Sequence, residues 1–404
     1  MSVLSSPVTG LGERRRPVAA VQDVDGSPRD RIAAAAAALA GPADADGRRA
    51  WAALARAGVL RDLFAAGRHE PDLGVLEVLL DKLDRALPVG VVLSVCVQAA
   101  SVVPLLHRLG ETSPLAADLA QRMLAGGSVV ALAVTDADVS GSVLLDCRTH
   151  LDGGGADGAA ILHGAKAWIT NAGLCDWALV LTRSRPPRHF TSFRWVLVPV
   201  TSPGVRVEVE GGGLFAGAGV GTLRFDGVRL DPASLVGRPG RALAELSQHL
   251  RTERVAGALW ARSMCRHALR DTLDDLRARM IDGSSAWENA AIRAKYAQAL
   301  VDWRWLNAAV RVTTAEPASA TEVVALKAAY PGVVDRVLGA CVELLGAAAF
   351  AGPNLALRRA QAAMFASAGG AAGAMLAVVA DRADELLDAV PPGPGASGGS
   401  GARP

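Results

Sequence analysis

Side chains able to do chemistry are sparse along this chain. Its seven histidines form no HExxH pair and no metal-ligand spacing, so no metal centre is expected. Five cysteines, Cys96, Cys147, Cys175, Cys265 and Cys341, stand far apart without a CxxC. That pattern predicts reduced thiols and a cytoplasmic protein. There is no Gly-x-Ser-x-Gly elbow, no Walker A loop and no GxGxxG between a strand and a helix. Two places remain. Glu253-Arg254, with Arg251 nearby, lies in a helical stretch. Read from its neighbours alone, the carboxylate pairs with Arg251 or Arg254 or faces solvent. The second place is Lys166-Ala167-Trp168-Ile169-Thr170-Asn171-Ala172. Its indole and hydroxyl either cover and orient a large flat ligand, or serve as a core aromatic and an ordinary strand residue.

The elements that must position these groups follow from composition. The chain has 404 residues, 51% hydrophobic but only 4% aromatic, so its core is built mainly from Ala, Leu and Val in close-packed helices. A net charge of +2 gives no reason to expect nucleic acid or an acidic membrane as partner. Residues 1–29 and 389–404 are rich in Pro, Gly and Ser and read as disordered; no signal peptide is recognised. Residues 30–127 have a helical pattern, residues 128–240 carry short β-rich runs separated by Gly, Asp and Pro, and residues 241–388 return to longer helices. Within the last block the expected helices include Ala242–Leu269 and Arg270–Met280 as separate pieces, and a final one ending near Leu387. The most apolar run, Leu87 to Leu106, is interrupted by Pro88, Gly90, Gln98, Ser101 and Pro104, which predicts a buried helix and no membrane span. Segregated blocks of helices, strands and helices give an α+β class.

Several local motifs sharpen this. Ala131-Leu132-Ala133-Val134-Thr135-Asp136 precedes Ser140-Gly141-Ser142. Leu162 to Ala172 is followed by Cys175-Asp176-Trp177-Ala178. Leu223-Arg224-Phe225-Asp226-Gly227-Val228 continues to Leu235-Val236-Gly237, Arg277 precedes Trp287-Glu288 by ten residues, and Glu343-Leu344-Leu345-Gly346-Ala347 comes later. Together these resemble the acyl-CoA dehydrogenase family over about residues 30 to 388. The resemblance implies that family's fold: an N-terminal helical domain, a central antiparallel β-domain and a C-terminal domain like a four-helix bundle. It further implies FAD between the last two domains and a homodimer or homotetramer. By the same resemblance Thr135, Gly141 and Ser142 border the flavin, Trp168 and Ile169 lie against its ring, and Thr170 bonds its N5. Arg277 and Glu288 reach the FAD diphosphate region, while Glu343, Gly346 and Gly370 support the cofactor, in part that of the partner subunit. Glu288 and Glu343 stand where the family has Gln, and Ala347 where it has Gly.

Most family members place a catalytic base as the Glu of Glu-Gly-Thr near the C-terminus. Here the corresponding stretch is Ala368-Gly369-Gly370, and no acidic residue occurs between Pro353 and Ala380. A minority, including isovaleryl-CoA dehydrogenase and the long-chain enzymes, moves the base to an earlier helix, before an Arg. Glu253-Arg254 resembles that arrangement. The resemblance therefore implies Glu253 as base, the Ala368 N–H on the substrate carbonyl, and Arg254 and Gly369 as substrate contacts. The implied activity is α,β-dehydrogenation of an acyl-CoA or acyl-carrier-protein thioester in specialised biosynthesis. The acceptor is an electron-transfer flavoprotein or oxygen. Two other readings stay open: a flavin monooxygenase on the same fold, and a non-catalytic homologue serving as a subunit of a hetero-oligomer.

Overall fold

Polar caps begin most of the early helices. Ser27 and Asp30 form a capping box at the start of α1 (Pro28–Leu39), with Pro28 in its first turn. Asp46, Asp72 and Ser113 cap α2 (Gly47–Arg56), α4 (Leu73–Ala86) and α7 (Pro114–Leu124) through their side chains. Between them lie the short α3 (Val59–Leu63), then α5 (Val89–Val97) and α6 (Val103–Gly110). The computed structural model describes residues 26–40, 45–65, 67–138, 144–153, 159–185, 188–210, 213–315, 318–351 and 354–388. Most of the two terminal segments read as disordered, and Ser140-Gly141-Ser142, lie outside the described residues.

Helices α5 and α6 form one run, joined by a π-helical turn at Gln98–Val102. This is the apolar stretch from the sequence. Val89–Gly110 is long and apolar enough to cross a membrane, but 89% of its most apolar window is buried inside the fold.

The strands are β1 (Val130–Ala133), β2 (His150–Gly153), β3 (Ala160–Ile169), β4 (Trp177–Arg183), β5 (Phe193–Pro199), β6 (Val205–Val209), β7 (Gly221–Leu230) and β8 (Leu235–Val236). They form one sheet in the order β6-β7-β3-β2-β4-β5-β8, with β1 against β4. Most pairings are antiparallel, as expected. The exceptions are the parallel pairings of β2 with β4 and of β1 with β4, so the sheet is mixed. The chain between them includes the β2–β3 hairpin and is long enough to permit a parallel return.

The C-terminal block differs from the expected pieces. Helix α8 (Ala242–Ala278) is continuous over 37 residues. No Gly or Pro stands at the expected break near Leu269, and the buried face continues through Ala268, Leu269, Thr272 and Leu276. A small hairpin of β9 (Met280–Ile281) and β10 (Ser284–Ser285) leads to α9 (Ala290–Ala315) and α10 (Ala320–Leu345). The last expected helix is divided into α11 (Leu355–Ala362), α12 (Ala372–Asp381) and α13 (Ala383–Asp388). Gly369 and Gly370, at φ +70° and +108°, separate the first two of these. Helices α8, α9 and α10 pack on one another, α4 lies against α8, and α12 against α10.

Candidate active site

The first group of site residues is assembled by pairing between β3 and the chain that follows β1. Ala137 N–H donates to the Ala165 carbonyl and Ala167 N–H to the Thr135 carbonyl, each at 3.0 Å, bracketing a bridge between Asp136 and Lys166. This sets Thr135 beside the segment that carries Trp168 and Thr170. The pairing is locked by a buried ion pair, with Lys166 Nζ 2.5 Å from Asp136 Oδ1. Lys166 also donates to the Val134 carbonyl at 2.8 Å, and Asp136 accepts from the Thr149 hydroxyl and N–H. Burial alone would raise the Asp136 carboxyl; the Lys166 charge and these donors hold it below its usual value.

Trp168 is held at φ +59° with 74% of its surface exposed, between buried Ala167 and Ile169. A bulky residue with positive φ is strained. Burial of its own ring does not offset that strain, so the indole is presented to something outside the strand. Asn171 follows at φ +69°, a conformation Asn tolerates. It is fully buried, its N–H donates to the Ala218 carbonyl, and its Oδ1 accepts from the Ser94 hydroxyl at 2.5 Å.

The α5–α6 run therefore touches this motif through Ser94. One turn on, Gln98 clamps the Val130 backbone, donating to its carbonyl at 2.8 Å and accepting from its N–H at 3.3 Å. At the far end of the π turn, Ser101 donates to the Glu253 carboxylate at 2.8 Å. A single helical run thus links the Trp168 segment, the start of β1 and Glu253. π turns of this kind often occur at functional sites.

Glu253 lies part-buried on α8. Burial raises its pKa, against the lowering effects of the Ser101 hydroxyl, the Lys327 and Arg254 charges and the Gly369 N–H. Among the described residues it forms no ion pair with Arg251 or Arg254. Arg251 donates to the Ala318 carbonyl at 2.6 Å and Arg254 to the Gly369 carbonyl at 3.0 Å. The fold thus brings Glu253, Arg254 and Gly369 together; a Cβ on Gly369 would lie 3.4 Å from Glu253 Oε1. Arg254 also passes Gly370, where an added Cβ would be 3.6 Å from its Nη2. Ala368 precedes Gly369 on the same stretch. Its N–H donates to the Met364 carbonyl at 2.8 Å, because Ala363–Ala366 is a 3₁₀ turn that Ala368 closes. The backbone N–H that acts on the Glu253 carboxylate is that of Gly369.

Arg277 lies elsewhere. It lines a cavity of about 920 Å³ with Lys82, Arg85, Arg266, Arg270 and Arg293, and stands 6.0 Å from the Trp287 ring. Neither Trp168, Thr170 nor Glu253 lines this cavity. Glu288 is exposed, outside its lining. Glu343 pairs with Lys295, which neutralises the carboxylate where the family has Gln. Gly346, at φ +59°, caps α10. Arg279, not singled out by the sequence, donates to the Leu344 and Leu345 carbonyls and ties the β9–β10 hairpin to that helix end. Five arginines and a lysine around indole rings suit an anionic diphosphate with an aromatic base. The strained, exposed Trp168 suits a flat ring. The residues present therefore fit a flavin dinucleotide at both ends.

Sequence reasoning missed Ser94, Gln98, Ser101, Lys327 and Tyr330. The signal was there for Lys327, a lone cation in the apolar stretch Val323 to Tyr330 of a helix.

Residues 131–228 match the acyl-CoA dehydrogenase middle domain. The acyl-[acyl-carrier-protein] dehydrogenase MbtN of Mycolicibacterium paratuberculosis is 28% identical over 255 residues, 61% of this chain and 62% of that protein. The mitochondrial long-chain specific acyl-CoA dehydrogenase of Rattus norvegicus is 29% identical over 185 residues, 44% of this chain and 41% of that protein. The matches thus span less than two thirds of these relatives. An acyl-CoA dehydrogenase from Geobacillus kaustophilus shares the whole fold, with a TM-score of 0.79 over 90% of this chain and 100% of that one, at 18% identity.

Proposed function

With an acyl-CoA dehydrogenase fold and that family's middle domain at residues 131–228 as premise, we propose that this chain is an FAD-dependent α,β-dehydrogenase of acyl thioesters, with Glu253 as the base. The observation that carries this reading is the meeting of Glu253 with Gly369. The carboxylate stands against the backbone of the stretch that lacks the family's usual Glu, held by Ser101 at 2.8 Å.

A thioester α-proton is weakly acidic, and a carboxylate with a burial-raised pKa is a better base for it. Ser101 and the Gly369 N–H fix the orientation of the carboxylate, and Glu253 takes the α-proton. FAD, when bound, accepts the hydride that leaves the β-carbon, so the substrate loses one proton and one hydride and gains a double bond. Trp168 covers one face of the ring and the Thr170 hydroxyl orients it. Arg277 and its neighbouring arginines hold the diphosphate. The family resemblance gives part of the cofactor's support to a second copy of the chain, in a homodimer or homotetramer, and the position of Trp168 outside the Arg277 cavity agrees with that.

Both CoA and carrier-protein thioesters suit this chemistry, and the MbtN relative's name supports the carrier protein. The altered contacts at Glu288 and Glu343 support a specialised, biosynthetic enzyme. An electron-transfer flavoprotein or oxygen would reoxidise it.

The test is anaerobic mixing of purified holoprotein with acyl-CoA and acyl-carrier-protein thioesters. Bleaching of the flavin absorbance is expected. Glu253→Gln should slow it roughly 10²–10⁴-fold with flavin retained. Unchanged bleaching in that variant would remove Glu253 from the role. No bleaching combined with an oxygen-dependent product would favour a monooxygenase, and a colourless protein that takes up no FAD would favour a non-catalytic subunit of a hetero-oligomer.

A further inference from the structure

Lys327 on α10 has no exposed surface. Its ammonium donates to the Phe365 carbonyl and lies 5.2 Å over the Tyr330 ring. Among the described residues no carboxylate approaches it to ion-pair distance. A buried cation with one carbonyl and one ring as partners is expensive to keep charged, so its presence calls for a reason. Composition makes the choice of residue informative. The chain has 38 arginines and four lysines, and two of those four, Lys166 and Lys327, are fully buried. Lys166 has Asp136 against it. Among the described residues, the carboxylate whose charge acts on Lys327 is that of Glu253. Arginine stays charged in any surroundings, whereas a buried lysine's charge responds to its neighbours.

The packing around the pair is tight. Tyr330 approaches α8 where residue 257 is Gly; a Cβ there would be 2.5 Å from the phenol oxygen. Phe365 contacts both Tyr330 and Trp260 edge-on, at 5.7 and 5.3 Å between ring centroids. Pro331 follows Tyr330 inside α10 and removes the helical N–H that would otherwise bond the Lys327 carbonyl. The turn held by Lys327 at Phe365 is the one that leads into Ala368-Gly369-Gly370.

We propose that Lys327 is a positioning residue for Glu253. Its buried charge keeps the carboxylate ionised before substrate binds, and its bond to Phe365 fixes the turn that presents Gly369 to that carboxylate. This rests on the reading of Glu253 as base. The groups facing Glu253 are Ser101 from the π turn, Cys96 from α5, Arg254 from its own helix, Lys327 and Tyr330 from α10, and the Gly369 N–H. Burial pushes the Cys96 thiol up to about 12 and the Tyr330 phenol well above its usual value, so both stay neutral at working pH. Arg254, which donates to the Gly369 carbonyl, keeps its charge and acts on Glu253 alongside Lys327. Lys327 is the counter-charge whose protonation can change near working pH. Burial lowers its own pKa to about 8, against the raising effect of Glu253.

The experiment is a pH titration of ¹³C-carboxyl-glutamate-labelled holoprotein by NMR, with the Glu253 resonance identified by its loss in Glu253→Gln. In the natural chain this signal should show its main step and a smaller second inflection near 8, as Lys327 loses its proton. Lys327→Gln keeps a donor for the Phe365 carbonyl but drops the charge. It should move the main step up by on the order of one pH unit, and the acid limb of kcat/KM should follow. Lys327→Arg should restore both. An unmoved step in a folded Lys327→Gln overturns the proposal. If neither variant folds, absence of the second inflection in the natural chain does so. Full turnover in Glu253→Gln would instead overturn the base assignment, and the titration would still read whether the two charges are coupled.

Discussion

Ser101 and Glu253 lie 152 residues apart in sequence, yet the serine hydroxyl donates to the carboxylate across 2.8 Å. The donor stands on a π turn whose Gln98, with Ser94 earlier on α5, bonds the β-domain, so Glu253 and the Trp168 segment are held by one helical run.

Removing that donor in Ser101→Ala should push the Glu253 pKa higher still, because the lost bond favoured the ionised form. A hydrogen bond to a charged group contributes about 1.5–3 kcal/mol. The acid limb of the kcat/KM profile should therefore move to higher pH, with the high-pH plateau reduced less than in Glu253→Gln. A profile that loses amplitude at every pH without moving would contradict this.

Glu253 also bears on stability. Its folded pKa is raised above the ordinary value of 4.5, so its contribution is fully present below that value and is lost as pH rises through the folded pKa. Glu253→Gln should therefore be more stable than the natural chain at pH 8, and the difference should close toward pH 4.5. Thermal unfolding at both pH values checks this.

Asp136→Ala should leave Lys166 buried and unpaired. Breaking such a pair costs about 3–5 kcal/mol. Adding Lys166→Met should recover most of that loss, which a double-mutant cycle in denaturant unfolding would show.

Trp168→Ala should behave in the opposite way. The side chain is mostly exposed and its backbone strained, so unfolding of the apoprotein should change by only about 0.5 kcal/mol or less. FAD affinity should fall about tenfold as the aromatic wall is lost, measured by flavin fluorescence titration. A large stability loss with unchanged affinity would make the indole a core residue.

His267 links α4 to α8. Its ring nitrogens face Asp84 at 2.8 Å and Asp81 at 3.1 Å. Burial alone would lower its pKa, but the two carboxylates outweigh burial and raise it. Its stabilising contribution is present below the unfolded value of about 6.5 and fades as pH passes the higher folded value. His267→Gln should accordingly destabilise the protein more at pH 6 than at pH 9, as denaturant unfolding at the two pH values would report.

The sequence by itself determined the order of helices, strands and helices, and the Trp168–Thr170 segment, because periodicity and short motifs depend on neighbours in the chain. It also pointed to Glu253, through the missing acid at Ala368-Gly369-Gly370. The extent of α8, the parallel placement of β1 and the use of the Ala368 N–H within its own turn came only from the folded chain. So did the contacts of Ser101 with Glu253 and of Lys327 with the Phe365 carbonyl. A carboxylate becomes a base, or a lysine a counter-charge, through desolvation and through partners on other elements, and spacing along one segment specifies neither.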